Sequence, residues 1–164
     1  MTLQELVRLS FEEDLGPGDI TTRACVDPEI RGTARVVAKQ DLVVSGLEAA
    51  RASFELMDVA SEALVQDGAH VCKGAEIVRL SGPLAGILQA ERVALNFLMR
   101  LSGIATHTAS VVGAAQGRLR VVCTRKTTPL HRSLEKAAVR HGGGHNHRHG
   151  LYDGVMIKDN HIIA

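Results

Sequence analysis

Apolar residues near the start of the chain recur at helical spacing. Leu3, Leu6, Val7 and Leu9 are interleaved with charges, which predicts a helix of about three turns, and Gly16-Pro17-Gly18 marks its end. Over residues 31–46 the pattern shifts to partial two-residue alternation with β-branched side chains, the signature of strand, and LEAARASFEL (47–56) returns to helical composition. The next stretch, ALVQDGAHVCKGAEIVRLSG, consists of short Val and Ile runs broken at Asp67-Gly68 and Lys73-Gly74, as tight hairpins would be. These elements predict an α+β domain with an antiparallel sheet.

From residue 84 to about residue 113, Ala, Leu and Met at three-to-four spacing predict one long helix or two, linking two domains. Beyond it come a strand-like run LRVVC (119–123), a helical run SLEKAAVRH (133–141) closed by three glycines, and a second strand-like run GVMI (154–157). Strand, helix, strand in that order begins a parallel α/β unit. The expected division is therefore residues 1–112 as the amino-terminal domain with its linking helices, and residues 113–164 as the first βαβ portion of a second domain.

Composition narrows the function classes. With 164 residues and 45% hydrophobic content, the chain can bury a core. The start lacks the basic flank and apolar stretch of a secretory signal, and no apolar run reaches the length of a bilayer span. Cys25, Cys72 and Cys123 are odd in number and form no CxxC pair, which argues against a disulfide framework or a zinc knuckle and for a cytoplasmic protein with reduced thiols.

The net charge of +1 conceals an asymmetry. Acidic residues crowd the first sixty positions, whereas the window 118–150 holds Arg118, Arg120, Arg125, Lys126, Arg132, Lys136, Arg140 and Arg148 against Glu135 alone, with five histidines among them. Such a field implies an anionic partner. Nucleic acid is disfavoured, because a single aromatic, Tyr152, stands at the margin of the window and no stacking pattern or helix-turn-helix accompanies it. No GxxxxGK[ST] loop points to an NTPase.

In parallel α/β folds ligands gather where strands end at their carboxyl side. A lone cation there is commonly a solvated loop residue, but here Arg125 and Lys126 follow the first predicted strand and Lys158 follows the second, so three positive groups are expected around one pocket. The run HGGGHNHRHG (141–150) has two further readings besides a mobile surface loop. Its glycines could present backbone amides to a phosphate or carboxylate. Alternatively, an extended segment would set His145, His147 and His149 on one face, where three imidazoles could hold zinc or nickel. Nothing in the spacing singles out Arg92, which sits mid-helix beside Glu91.

Four runs, ERVALNFLMRLSGIATHT (91–108), TRKTTP (124–129), GGGHNHRHGLYD (142–153) and IKDNH (157–161), with FEEDLGPGDITT (11–22), resemble the quinolinate phosphoribosyltransferase family in order and spacing. A paralogue associated with molybdenum transport shares much of this pattern. The resemblance implies an open α/β sandwich followed by an α/β barrel, and a homodimer whose active site is shared between subunits. It implies transfer of phosphoribosyl from phosphoribosyl pyrophosphate to quinolinate with Mg²⁺, releasing pyrophosphate and CO₂. By motif position, Thr124, Arg125, His147, Arg148 and Lys158 would line the quinolinate pocket, Arg92 would reach in from the partner subunit, and Lys126 with Lys158 would act on phosphoribosyl pyrophosphate. The acidic residues for metal and ribose would belong to later strands beyond Ala164, so the barrel is expected to be incomplete in this chain and the 164-residue chain inactive by itself. A non-catalytic dimerisation partner is the corresponding alternative. TTPLHR stands where the family pattern implies Pro-Gly-Leu-Arg, which leaves the placement of Arg132 open, and the resemblance assigns no purpose to His145 and His149.

Overall fold

The computed structural model describes residues 1–163. The first predicted helix forms as α1 (Leu3–Leu15), opened by a reciprocal cap in which the Thr2 hydroxyl accepts from the Glu5 amide and the Glu5 carboxylate accepts from the Thr2 amide. Leu6, Val7 and Phe11 form its buried face, and Gly16 closes it at φ 49°. A short helix α2 (Ile20–Cys25) follows, capped by the Asp19 carboxylate; at six residues it is too brief to show a period in sequence.

Strands β1 (Arg31–Val37), β3 (Ala60–Ala63) and β5 (Glu76–Pro83) form an antiparallel sheet in the order β1-β5-β3. Strands β2 (Leu42–Val43) and β4 (His70–Val71) form a separate two-stranded ribbon. The turns at Gly68 and Gly74 exist, both at φ 91°, but the hairpin expectation is corrected: neither turn joins neighbouring strands that pair. The Gly68 amide donates to the Val44 carbonyl and the Gly74 amide to that of Ala38, so the intervening segment is drawn away from β3 and β5 onto the chain around β2. The sequential runs are thus interleaved, with β5 free to pair on both edges.

Helix α3 (Leu47–Glu55) forms where its composition placed it. The 84–113 pattern forms one helix, α4 (Leu84–Ala115), whose 32 residues span about 48 Å at 1.5 Å per residue. Phe54 of α3, Val59, Ile77 and Leu80 of the sheet side, and Ile87, Val93, Phe97 and Leu98 of α4 meet in the main core. Burying one such side chain contributes about 1.5–3 kcal/mol. Farther along α4, Thr106 Oγ1 accepts from the Val43 amide at 2.9 Å and Ser102 Oγ from the Ser45 amide at 3.0 Å, while Ser45 Oγ lies 2.8 Å from His141 Nδ1. Hydroxyls on successive turns of α4 thereby satisfy backbone that leaves β2.

The remaining helices are α5 (Arg132–His141) and α6 (Asp159–Ile163). The predicted strand-helix-strand order requires a correction at its second strand. The Val122 region does make a parallel pairing, but with His145: the Cys123 amide donates to the His145 carbonyl and the His145 amide to the Val121 carbonyl, each at 2.9 Å. Residues 154–157 form no strand and are exposed. The GVMI run matches strand composition, yet among the described residues it has no ladder partner, and pairing rather than propensity makes a strand.

Candidate functional site

The short parallel ladder sets two segments side by side: Thr124-Arg125-Lys126, directly after Cys123, and Asn146-His147-Arg148, directly after His145. Five of the seven residues singled out in sequence are therefore brought together by two backbone hydrogen bonds. Thr124 Oγ1 accepts from the Lys126 amide at 3.1 Å, which folds the first segment into a tight bend. Lys126 and His147 are exposed, while Arg125 and Arg148 are half-buried. Arg125 Nε is buried without a hydrogen-bond partner. An unsatisfied buried donor of this kind costs about 1–3 kcal/mol, and one within a group of cations is a donor that an anionic ligand could satisfy.

Lys158 and Arg92 are placed less directly. Arg148 Nη1 donates to the Gly154 carbonyl at 2.8 Å, which ties the exposed run leading to Lys158 back to the ladder. Lys158 itself is exposed at the start of α6, its amide donating to His161 Nδ1. Arg92 lies on the outer face of α4, 3.9 Å from the Glu91 carboxylate, and no hydrogen bond among the described residues links it to the other six.

The glycine run has a packing role. The amides of Gly142, Gly143 and Gly144 donate to the carbonyls of Ala138, Arg140 and Val139, so all three complete the end of α5 and none is presented to an anion. Gly143 takes φ 81°, and a Cβ on Gly142 would collide with the Ala105 carbonyl of α4. The three-histidine face is not a metal site either: among the described residues no three His, Cys, Asp or Glu side chains are grouped to hold an ion. The carbonyls of residues 145, 147 and 149 are instead engaged in turn by Cys123, Lys136 and Arg132.

Arg100, Glu135 and Lys136 support the site and escaped the sequence reading. Glu135 is the sole acid of the basic window, and that solitude was its signal. It is 6% exposed and receives Arg100 Nη2 at 2.7 Å, while Arg100 also reaches Thr128 Oγ1 at 2.7 Å. Burial alone would raise the Glu135 carboxyl, but the hydrogen bonds from Arg100 and Thr128 prevail and hold it below its ordinary value of 4.5. A folded-state value below the unfolded one gives stability that is complete above about pH 4.5 and is lost as pH falls through the lowered value. Thermal midpoints measured from pH 6 down to pH 3 are expected to fall less steeply in Glu135→Gln than in the parent. Equal slopes would show that Glu135 carries none of the acid dependence.

Leu130 stands where the resemblance implies a glycine, and its backbone conformation is one that glycine would take without strain. It occupies the glycine position of Pro-Gly-Leu-Arg and adopts φ 67°, a left-handed conformation that strains a leucine by about 1–2 kcal/mol. Arg132 nevertheless finds firm partners, Thr127 Oγ1 at 3.0 Å and the His149 carbonyl at 3.0 Å. Because Leu130 is 69% exposed and gives up little packing, Leu130→Gly is expected to raise the denaturant midpoint, by about 1 kcal/mol of stability after the added unfolded-state entropy of glycine is subtracted. A lowered midpoint would contradict the strain.

Comparison with known proteins finds relatives along the whole of this chain. The family model described as quinolinate phosphoribosyl transferase, N-terminal domain, matches residues 19–102, and that of the C-terminal domain matches residues 104–164. A probable nicotinate-nucleotide pyrophosphorylase (carboxylating) of Bacillus subtilis is 45% identical over 100% of this chain and 57% of its own length. A mitochondrial quinolinate phosphoribosyltransferase (decarboxylating) of Nicotiana tabacum is 42% identical over 99% of the chain and 47% of its own length. The solved nicotinate-nucleotide pyrophosphorylase of Francisella tularensis superposes with a TM-score of 0.92 at 38% identity, covering 97% of this chain and 58% of that one. The chain thus spans about half the length of the curated relatives it matches. No helix among the described residues is long and apolar enough to cross a membrane.

Proposed function

Because the chain belongs to the quinolinate phosphoribosyltransferase family, we propose that the protein carrying it joins quinolinate to phosphoribosyl pyrophosphate and forms nicotinate mononucleotide, pyrophosphate and CO₂ for NAD synthesis. The observation that carries this reading is the ladder that sets Arg125, with its unpartnered buried Nε, beside His147 and Arg148. Quinolinate is a planar dianion with adjacent carboxylates. The guanidinium fork of Arg matches a carboxylate through two charge-assisted hydrogen bonds, and each ion pair is worth about 4 kcal/mol at 4 Å near a surface before desolvation is subtracted. Thr124, Arg125, His147, Arg148 and Lys158 form the proposed quinolinate pocket. Lys126 and Lys158 are the proposed catalytic cations, directed at phosphoribosyl pyrophosphate.

In the transfer step the ring nitrogen attacks the anomeric carbon. A carbon–nitrogen bond forms while the carbon–oxygen bond to pyrophosphate breaks, and the electron pair leaves with pyrophosphate. Lys126 and Lys158 would stabilise the negative charge that grows on that leaving group. The nitrogen is then cationic and stabilises the electron pair left on the adjacent ring carbon when its carboxylate departs as CO₂, and that carbon takes a proton from solvent. The protein need only position the reactants and neutralise charge.

Exposure of Arg92 on α4 supports its delivery to the active site of a second subunit, hence a homodimer, and the ladder from residue 122 to 145 supports the beginning of an α/β barrel. Among the described residues no acidic cluster fits Mg²⁺, so we assign the ion to the phosphoribosyl pyrophosphate that it accompanies rather than to side chains of this chain. Three free thiols support a cytoplasmic setting. The test is a mass balance in the protein that carries this sequence. Given quinolinate, phosphoribosyl pyrophosphate and Mg²⁺, nicotinate mononucleotide, pyrophosphate and CO₂ should appear in equal amounts; no product, or CO₂ without pyrophosphate, would refute the proposal.

A further inference from the structure

One edge of α5 carries Arg132, Lys136 and Arg140 at four-residue intervals, and all three reach the segment that bears His147 and Arg148. Arg132 Nη1 donates to the His149 carbonyl at 3.0 Å and Lys136 Nζ to the His147 carbonyl at 2.8 Å. Arg140 Nη1 donates to the Asn146 side-chain oxygen at 2.7 Å, with the amide turned so that its nitrogen donates to the Lys136 carbonyl at 3.0 Å. The spacings match: four helical residues advance about 6 Å and two extended residues about 6.6 Å, so one helix edge can hold alternate carbonyls of an adjoining extended segment.

Lys136 is the unusual member. It is 1% exposed, and among the described residues no carboxylate pairs with it. Burying an ammonium costs several kcal/mol where a methionine of similar volume would cost little, so packing alone does not account for it. Its two contacts do. Nζ lies 2.9 Å from Cys123 Sγ, the residue before Thr124-Arg125-Lys126, and 2.8 Å from the carbonyl of His147, the residue before Arg148. The His147 amide also approaches the same sulfur at 3.4 Å. A single buried group therefore joins the two cation-bearing segments just where each leaves the ladder.

We propose that Lys136 is a positioning residue that fixes the separation and orientation of the Arg125 and His147-Arg148 segments without touching substrate. The substrate part of this inference rests on the function proposed above. The two are separated by measuring amide hydrogen exchange and steady-state kinetics on Lys136→Met and, as a milder change that keeps the ammonium, Cys123→Ala. Loss of a hydrogen bond to a charged group predicts exchange about tenfold faster over residues 145–149 in Lys136→Met, with amides of α1 and α3 unaffected, and a smaller change in the same residues of Cys123→Ala. KM for quinolinate is expected to rise about tenfold with a smaller change in kcat, since the interaction is with the binding segments rather than the reacting atoms. If Lys136→Met does not fold, exchange in Cys123→Ala decides, read at the amides of His145 and His149, which make no contact with the sulfur. Unchanged exchange over 145–149 overturns the positioning role whatever the kinetics. Faster exchange in a protein whose parent does not turn over quinolinate leaves the positioning role in place and overturns the substrate reading instead.

Discussion

Arg125→Ala is expected to weaken quinolinate binding by roughly a hundredfold or more, the effect of removing one partner from a desolvated, hydrogen-bonded charge pair. The structure explains why the loss should exceed that of a surface arginine. Arg125 is half-buried and its buried Nε has no partner, so that N–H lacks an acceptor that a carboxylate would supply. Arg125→Lys should recover little, because an ammonium cannot provide the planar two-point grip. Lys158→Ala, by contrast, should lower kcat more than it raises KM, because its proposed interaction grows with charge on the leaving pyrophosphate. Unchanged kinetics in either variant would remove that residue from the site.

Gly142→Ala is expected to cost about 3 kcal/mol or more of stability, the upper end of what overpacking produces. A methyl group there would collide with the Ala105 carbonyl and lie 2.7 Å from Thr108 Cβ, both on α4. Neither is the free end of a flexible side chain, so the relief must come from separating α5 from α4. That separation would also disturb the Arg100–Glu135 pair and the polar seam through Ser45 and His141. A denaturant midpoint within about 0.5 kcal/mol of the parent would mean that the α4–α5 approach is looser than described. Gly113→Ala, where nothing lies within 4 Å, is the matched control and should be neutral or slightly stabilising.

Much of this fold could be read from periodicity, and where reading failed the reason was non-local pairing. Helices α1 and α4 carry apolar patterns long enough to identify themselves, and α3 and α5 were legible from helical composition. The sheet was not, because β3 and β4 are short and the glycine turns at 68 and 74 look the same whether the strands they join pair with each other or with strands elsewhere. The partner of the Val122 run was missed for a related reason: His145 lies in a glycine- and histidine-rich stretch that has no strand composition, whereas GVMI has that composition and no partner. Arg125 and Lys126 stood out by charge and by their place after a short apolar run, whereas His147 and Arg148 were placed in the site by the motif resemblance. Lys136 did not, since one lysine in an amphipathic helix looks solvated until its burial is known. Glycines 142–144 suggested an anion cradle from composition alone, and only the hydrogen bonds to the end of α5 showed them to be a close-packed helix terminus.

In the proposed site, Arg125 and the His147-Arg148 segment, brought together by the ladder from Val122 to His145, recognise adjacent carboxylates on one planar ring. Calorimetric titration of the protein with quinolinate and with nicotinate, which lacks one carboxylate, tests it most directly. Quinolinate should bind at least about tenfold more tightly than nicotinate, and Arg125→Ala should abolish most of that preference. Equal affinity for the two acids, or a preference that survives in Arg125→Ala, would contradict the assignment.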